Sequence, residues 1–252
     1  MRWSERQRAM LQVMGVRLFG PELSPSVAPS PVRPEPVEGP SNPQGERTGA
    51  PIPQAETARP EIATLDWPAL REAVSSCRAC ALCESRQQTV FGIGNPRAHW
   101  LIVGEAPGEQ EDRQGEPFVG DSGKLLDNML RALGLTREDA SPERQVFIAN
   151  TLKCRPPKNR NPVPAETAQC APFLARQIAL VQPRIILAMG RFAAHALLAS
   201  EEPLGKLRGR VHAYRGVPLV VTYHPAYLLR TLADKARAWE DLCLAASVVE
   251  GH

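Results

Sequence analysis

Four short apolar runs, each bounded by glycine, proline or charged residues, predict buried β-strands. They cover residues 99–103 (HWLIV), 146–150 (VFIAN), 184–190 (RIILAMG) and 218–223 (PLVVTY). Apolar residues recur at helical spacing between and after these runs, in residues 122–134, 165–182, 191–199 and 231–249. This alternation predicts an α/β fold in which helices cover both faces of a parallel sheet.

Polar and small residues follow three of the predicted strands. The segments are GEAPG at 104–108, NTLKCRPP at 150–157 and HPAYLLR at 224–230. Because ligands bind at the carboxyl ends of the strands in open parallel sheets, these segments are predicted to form one site.

The first 61 residues differ in character from the remaining chain. Residues 1–20 carry apolar side chains at helical spacing and predict an amphipathic helix. Residues 21–61 are dense in proline, serine, glutamate and glycine, which predicts a disordered linker because little apolar surface can be buried. The folded domain is therefore predicted to cover residues 62–252. The helix is predicted to dock on this domain or to recruit a repair or replication protein.

Composition restricts the compartment and the partners. The 252 residues carry a net charge of +3, which permits nucleic-acid binding without requiring it. The chain contains no run of about 18 apolar residues and no secretory leader, so we expect a cytoplasmic protein that does not bind membranes.

Four of the six cysteines form a set with metal-ligand spacing. Cys77 and Cys80 make a C-x2-C pair, and Cys154 and Cys170 follow later. In a cytosolic chain such a set favours zinc or an iron–sulfur cluster over disulfides, and spacing does not separate these metals. Cys83 lies three residues after Cys80 and is a competing ligand. Cys243 lies among apolar residues and is predicted to be a core thiol.

The loop between Cys154 and Cys170 is basic. Lys153, Arg155, Lys158 and Arg160 lie at or near its start. A loop anchored by a metal site is a suitable clamp for DNA phosphates, and the alternative is a solvated charged loop.

The joint motifs resemble those of family 4 uracil-DNA glycosylases. The resemblance rests on GEAPGEQEDRQGEPFVGDSGKLLD, NTLKCRPPKNR, HPAYLLR and the four cysteines, and it covers about residues 70–245. It implies a three-layer α/β/α sandwich with a central, mainly parallel, four-stranded sheet. It also implies a [4Fe–4S] cluster held by Cys77, Cys80, Cys154 and Cys170, with Cys83 unused.

This resemblance implies an enzyme that excises uracil from DNA, and we expect a monomer. Because a base inside a duplex cannot be reached, the nucleotide must be flipped into a pocket. Phe118 matches the family's stacking residue, and His224 matches its donor to uracil O2. Asn150 ends a predicted strand, where an amide can pair with N3–H and O4 of uracil, and cytosine presents the reverse pattern.

Water must also be placed at the sugar carbon, and thymine must be excluded. We assign Glu105 and Glu111 jointly to positioning water or stabilising positive charge on the sugar, and expect Asp112 to be solvated. The alternative is that either glutamate caps the segment that follows it. Gly104 and Gly108 are predicted to let the backbone approach the base. Ala106 lies between them in the same turn, and Gly108–Glu111 is the predicted wall against the thymine methyl.

The segment HPAYLLR has a second predicted function. Leu228 or Leu229 is predicted to insert into the space that the flipped base leaves, as apolar wedges do. Arg230 is predicted to contact phosphate. The alternative is that both leucines belong to the core.

A second class of function uses many of the same residues. A non-catalytic iron–sulfur or zinc module that binds nucleic acid would need the cysteines and the basic loop. That hypothesis gives no function to Phe118, Asn150 and His224 together.

Overall fold

The computed structural model describes residues 60–251. The predicted helix at 1–20 and nearly all of the predicted linker at 21–61 lie outside the described residues. The first described element is a 3-10 helix, Pro60–Thr64, whose Ile62 side chain is buried against the sheet.

Six strands form one sheet in the order β1-β3-β2-β4-β6-β5. They are β1 (Ile93–Gly94), β2 (Trp100–Gly104), β3 (Phe147–Asn150), β4 (Ile185–Met189), β5 (Val211–Tyr214) and β6 (Val217–Thr222). The four central strands are parallel, and β1 and β5 pair antiparallel at the two edges. The predicted parallel sheet is confirmed.

The sequence pattern missed the two edge strands. β1 has only two residues, and β5 alternates exposed and half-buried positions, so neither contains a buried apolar run. Edge strands form because a neighbour supplies hydrogen bonds, which the pattern of a single segment does not reveal.

Nine α-helices accompany the sheet in the part of the chain that the structure describes. They are α1 (Trp67–Ser75), α2 (Leu82–Ser85), α3 (Glu109–Gln114), α4 (Asp121–Ala132), α5 (Pro164–Val181), α6 (Arg191–Leu198), α7 (Leu204–Leu207), α8 (Pro225–Leu228) and α9 (Lys235–Glu250). The four long predicted helices are confirmed within a few residues. Among residues 60–251 no helix combines the length and the apolar character that crossing a bilayer requires.

Two hydrophobic cores lie on opposite faces of the sheet, which makes a three-layer α/β/α sandwich. Alternate residues of β2 point to opposite sides, so Ile102 joins one core and Leu101 the other. Helices α4 and α9 cover the first face, where Trp239 is fully buried. Helices α1, α5 and α6 cover the second face.

Candidate active site and cysteine cavity

The segments after β2 and β3 meet at one rim of the sheet. Gly104 and Asn150, the last residues of these strands, are register partners. The link continues beyond the strands, where Thr151 N donates to Gly104 O at 3.0 Å and Leu152 N donates to Glu105 O at 3.0 Å. These bonds hold the predicted site segments side by side.

Phe118 and Asn150 lie against Gly104, and His224 stacks on Phe118. A Cβ on Gly104 would lie 2.4 Å from Asn150 Oδ1 and 2.6 Å from Phe118 Cζ, so only glycine fits there. The Phe118 ring stacks on the His224 imidazole, with centroids 5.3 Å apart and planes inclined by 26°. Three side chains from distant parts of the sequence therefore form one connected group.

Asn150 is a buried residue with an unused acceptor. Its side chain is only 2% exposed, and Oδ1 has no hydrogen-bond partner among residues 60–251. A buried polar atom without a partner costs free energy unless a ligand or water satisfies it. The position of Oδ1 beside Phe118 therefore indicates a ligand that donates a hydrogen bond.

His224 is held as a neutral imidazole. Its Nδ1 accepts a hydrogen bond from Ala226 N at 3.2 Å, which leaves Nε2 to carry the proton in the neutral ring. Burial lowers the pKa of His224 to about 4; the nearby Glu111 carboxylate opposes this shift and Arg230 adds to it. The ring is therefore an uncharged N–H donor at neutral pH.

Glu105 offers a carboxylate that makes no hydrogen bond within the described residues. Burial raises the pKa of Glu105, and Arg191 partly offsets the shift. The backbone carbonyl of Glu105 accepts from Thr151 Oγ1 at 2.5 Å, which fixes the residue at the rim. The carboxylate is half-buried and remains available to a water molecule.

The Glu111 carboxylate accepts hydrogen bonds from the backbone, as expected for a residue that caps a segment and not for one that positions water. Its Oε2 accepts from Gly108 N at 3.1 Å, and its Oε1 accepts from Val119 N at 3.0 Å and from Gly120 N at 3.3 Å. These bonds tie the start of α3 to the turn that holds Phe118, which has a left-handed φ of 56°. Glu111 is therefore committed to the loop, and Glu105 is the carboxylate left for water.

Gly108 and Asp112 do not have the environments predicted for them, because both take part in the hydrogen-bonded structure around α3. A Cβ on Gly108 would lie 2.6 Å from Glu111 Oε2, so this glycine accommodates the helix cap instead of the base. The prediction that Asp112 is solvated is wrong, because the residue is 1% exposed. Its carboxylate accepts from Gln87 N at 3.0 and 3.1 Å and from Gln88 N at 3.4 Å.

Two residues assigned to DNA contact lie in the interior. Lys153 is 2% exposed, and its Nζ donates to Asn150 O at 2.8 Å and to Gln177 Oε1 at 2.7 Å. Burial lowers the pKa of Lys153 to about 8, and the thiols of Cys170 and Cys154 oppose that shift. A lysine held this way does not reach phosphate, so that assignment is wrong.

Leu228 is the second such residue, since it is fully buried in the core beneath α4. Its neighbour Leu229 is 43% exposed and is the wedge candidate that the structure supports. Leu232, which sequence reasoning missed, is 64% exposed close by. The spacing of leucines along the sequence did not distinguish these exposed leucines from the buried Leu228.

The remaining basic residues assigned to DNA contact lie at or near the surface, and they differ in their hydrogen bonds and ion pairs. Arg155 is half-buried and donates to Asn159 Oδ1 at 2.8 Å and to Glu109 Oε2 at 3.4 Å. Arg160 pairs with Glu166 at 2.5 Å. Lys158 and Arg230 are exposed and form no ion pair within the part of the chain described.

Five cysteines line one cavity on the α5 side of the sheet. They are Cys77, Cys80, Cys83, Cys154 and Cys170, which line this cavity together with Arg86 and Lys153. None of the five forms a disulfide within the described part of the chain. Arg86 Nη1 donates to Cys154 Sγ at 3.0 Å, and Lys153 N donates to Cys170 Sγ at 3.2 Å.

The chemistry of the cavity suits a group that binds thiolates. Burial raises the pKa of Cys170 to about 12 and also raises the pKa values of Cys80 and Cys154, so the thiolates need positive charge to form. Within residues 60–251 no three His, Cys, Asp or Glu side chains converge to hold a single ion. Five cysteines around one cavity provide sulfur donors for a metal ion or an iron–sulfur cluster.

Ala106 belongs with this cavity. Its side chain packs against the small cluster of Leu82, Leu152 and Cys154, and its assignment to substrate binding stays a prediction. Arg86, whose guanidinium contacts Cys154, was missed because a single arginine after a cysteine motif carries no sequence signal.

Comparison with known proteins gives the family. The profile described as uracil DNA glycosylase superfamily matches residues 91–243, which places the chain in that superfamily. The type-4 uracil-DNA glycosylase of Archaeoglobus fulgidus is 42% identical over 62% of this chain and 79% of its own length. That of Thermotoga maritima is 40% identical over 71% and 92%, and that of Sulfurisphaera tokodaii is 43% identical over 64% and 74%. The chain belongs to the type-4 family.

Proposed function

We propose that this protein is a monofunctional uracil-DNA glycosylase. It binds DNA containing uracil, flips the uracil nucleotide out of the helix and hydrolyses the N-glycosidic bond. The product is an abasic site, which initiates base excision repair. The observation that carries this proposal is the group in which Phe118 and Asn150 lie against Gly104 and His224 stacks on Phe118.

Recognition of the base follows from Asn150 and Phe118. The unpartnered Asn150 Oδ1 accepts from uracil N3–H, and the amide NH2 donates to O4. Cytosine has an acceptor at N3 and a donor at C4, so the same amide orientation leaves buried groups unpaired. Phe118 supplies an apolar ring at this point, and base–aromatic stacking contributes about 1–3 kcal/mol per base.

Breaking the glycosidic bond leaves negative charge on uracil and positive charge on the sugar. The Nε2–H of neutral His224 donates to uracil O2 as that charge develops. Glu105 positions the attacking water and stabilises the cationic sugar. Glu111 acts indirectly, because it holds the turn that carries Phe118. The backbone around Gly108–Glu111 remains the proposed wall against thymine.

We assign a [4Fe–4S] cluster to Cys77, Cys80, Cys154 and Cys170. The cavity and its buried thiols fit such a group. Bound there, it would supply a structural cross-link and positive iron charge that keeps the sulfurs as thiolates. The chain's own contribution is to fix the loop after Cys154 beside the segment after β2.

DNA contacts are assigned to the surface residues on this rim. Arg155, Lys158 and Arg230 are proposed to contact phosphate, and Leu229 is proposed to occupy the vacated stack. A monomeric state, a cytoplasmic location and a repair or replication partner for the N-terminal helix remain predictions.

The test is an excision assay with the iron-loaded protein. An oligonucleotide with one uracil should yield alkali-labile abasic sites, and the same oligonucleotides with thymine or cytosine should not. An Asn150→Ala variant should lose most of this activity and retain DNA binding. If the unaltered protein binds DNA and forms no abasic site, the non-catalytic nucleic-acid-binding module becomes the better description.

A further inference from the structure

A buried lysine lies between the cysteine cavity and the uracil-binding end of β3. The Lys153 ammonium donates to Asn150 O at 2.8 Å and to Gln177 Oε1 at 2.7 Å. Gln177 Nε2 in turn donates to Phe91 O at 2.9 Å, which orients the glutamine so that its oxygen faces the lysine. The ammonium is thereby fixed against the main chain of Asn150.

The same residue contacts the cysteines through its backbone. Lys153 N donates to Cys170 Sγ at 3.2 Å, and Lys153 directly precedes Cys154 and lines the cavity. Within residues 60–251 the lysine forms no ion pair with a carboxylate.

Burying an ammonium is costly unless an opposite charge and hydrogen bonds compensate. Two neutral oxygens supply hydrogen bonds here, and the cysteine sulfurs beside the backbone of Lys153 would supply negative charge once they are held as thiolates. An exposed lysine on a DNA-binding loop would need neither, so this arrangement requires another explanation.

We propose that Lys153 is a positioning residue that couples the two sites. Its ammonium holds the carbonyl of Asn150, and therefore the uracil-binding amide, while the cysteine sulfurs balance its charge. This inference rests on the proposed cluster and the proposed glycosylase activity. It makes the geometry of base recognition depend on the charge held in the cysteine cavity.

The test replaces Lys153 by methionine, which keeps the length of the side chain and removes the charge. The matched control is Lys206→Met on α7, where the lysine is exposed and distant from the proposed machinery. Iron content and uracil excision are first measured on the unaltered protein. Failure there would refute the proposed cluster or the proposed activity, and would be distinguishable from failure of this inference.

We expect Lys153→Met to retain iron and to show a lower reduction potential of the bound cluster, because a nearby positive charge favours the reduced, more negative state. Excision at saturating substrate should fall at least tenfold with little change in KM. Lys206→Met should change neither property. A residue important only for packing would lower the thermal midpoint without moving the potential.

If Lys153→Met does not fold with iron, Gln177→Glu provides the same measurement. A carboxylate at this position would lie beside the ammonium and should also lower the potential. An unchanged potential in the iron-loaded variant would overturn the charge link to the cysteines. Unchanged excision would overturn the link to Asn150.

Discussion

The Phe118 ring lies against the His224 imidazole with the ring centroids 5.3 Å apart. Phe118 comes from the turn after α3, and His224 comes from the turn after β6, more than one hundred residues later. Their contact joins the proposed base-stacking group to the proposed donor. It also partly removes the imidazole from water, which contributes to its low pKa.

Gly104→Ala tests whether this site needs its glycine. The added methyl group would overlap Asn150 Oδ1 and Phe118 Cζ, so both side chains must move. A displacement of about 1 Å can cost about 100-fold in rate, and we expect a loss of kcat/KM of that order. Gly205→Ala is the control, since its Cβ would meet nothing within 4 Å. Equal activity of both variants would contradict the proposed convergence.

Phe118→Leu tests stacking while an apolar side chain is kept. Loss of the aromatic face should reduce kcat/KM by about 5- to 150-fold, which corresponds to about 1–3 kcal/mol of base stacking. Steady-state kinetics on a uracil oligonucleotide measures this, and the thermal midpoint shows whether the core was disturbed. A variant with unchanged kinetics would remove Phe118 from the base site.

His224 should stay neutral across the ordinary working range of pH. Because its pKa is about 4, no change in excision rate between pH 5 and pH 8 should arise from this residue. His224→Gln keeps an N–H donor and should retain more activity than His224→Ala. An inflection near pH 6.5 that disappears in His224→Gln would show that the imidazole titrates normally.

The same shift links His224 to stability. The unfolded chain binds the imidazole proton with an ordinary pKa near 6.5, and the folded protein binds it only near 4. The stabilising contribution is therefore full above pH 6.5 and is lost as pH falls toward 4. The thermal midpoint should drop less over this interval in His224→Gln than in the unaltered protein.

Glu105→Gln and Glu111→Gln should fail in different ways. Glu105 is proposed to act as an ionised carboxylate, so its removal should lower kcat by about 100-fold or more. Because burial raises the pKa of Glu105, activity should decline on the acidic side at a higher pH than for an exposed glutamate. The pH profile of the unaltered enzyme measures this decline.

Glu111→Gln should instead weaken the loop. The carboxylate now accepts hydrogen bonds from backbone N–H groups, and the amide NH2 of glutamine would face one or more of these donors. Each buried N–H group left without an acceptor costs about 1–3 kcal/mol. We expect a lower thermal midpoint, a higher KM and an unchanged pH profile. A loss of kcat with normal stability would return Glu111 to the water-positioning function.

The cysteine assignment predicts which substitutions release iron. Alanine at Cys80 should abolish bound iron and the brown colour of the cluster, whereas alanine at Cys83 should preserve both. Cys243→Ala on α9 serves as the matched control, since it lies on the opposite face of the sheet. Iron loss in Cys83→Ala as complete as in Cys80→Ala would overturn the ligand set. Stoichiometric zinc in protein purified without oxygen would overturn the cluster.

Local sequence patterns predicted most of the elements. The four central strands are apolar throughout because both of their faces are covered, and that produces runs visible without a structure. The site segments follow these strands, so their common rim could also be predicted. Gly104 was recognised as a point of close approach, and the structure identifies the atoms that require it.

The same patterns did not predict which side chains in short turns are buried. Lys153, Asp112 and Leu228 were each assigned to solvent or DNA, and each is buried. In a loop no periodicity fixes which side faces inward, so burial depends on distant partners such as Gln177, which lies on α5.

By itself, the sequence determined the order of the central strands and long helices and the spacing of the cysteines, because these properties reside in contiguous segments. Only the tertiary structure decided that Glu111 accepts hydrogen bonds from a loop, that the Glu105 carboxylate makes no hydrogen bond within residues 60–251, and that Lys153 is buried against the carbonyl of Asn150. Those features depend on hydrogen bonds and burial between segments that lie far apart along the chain. Such contacts exist only after the sheet has assembled.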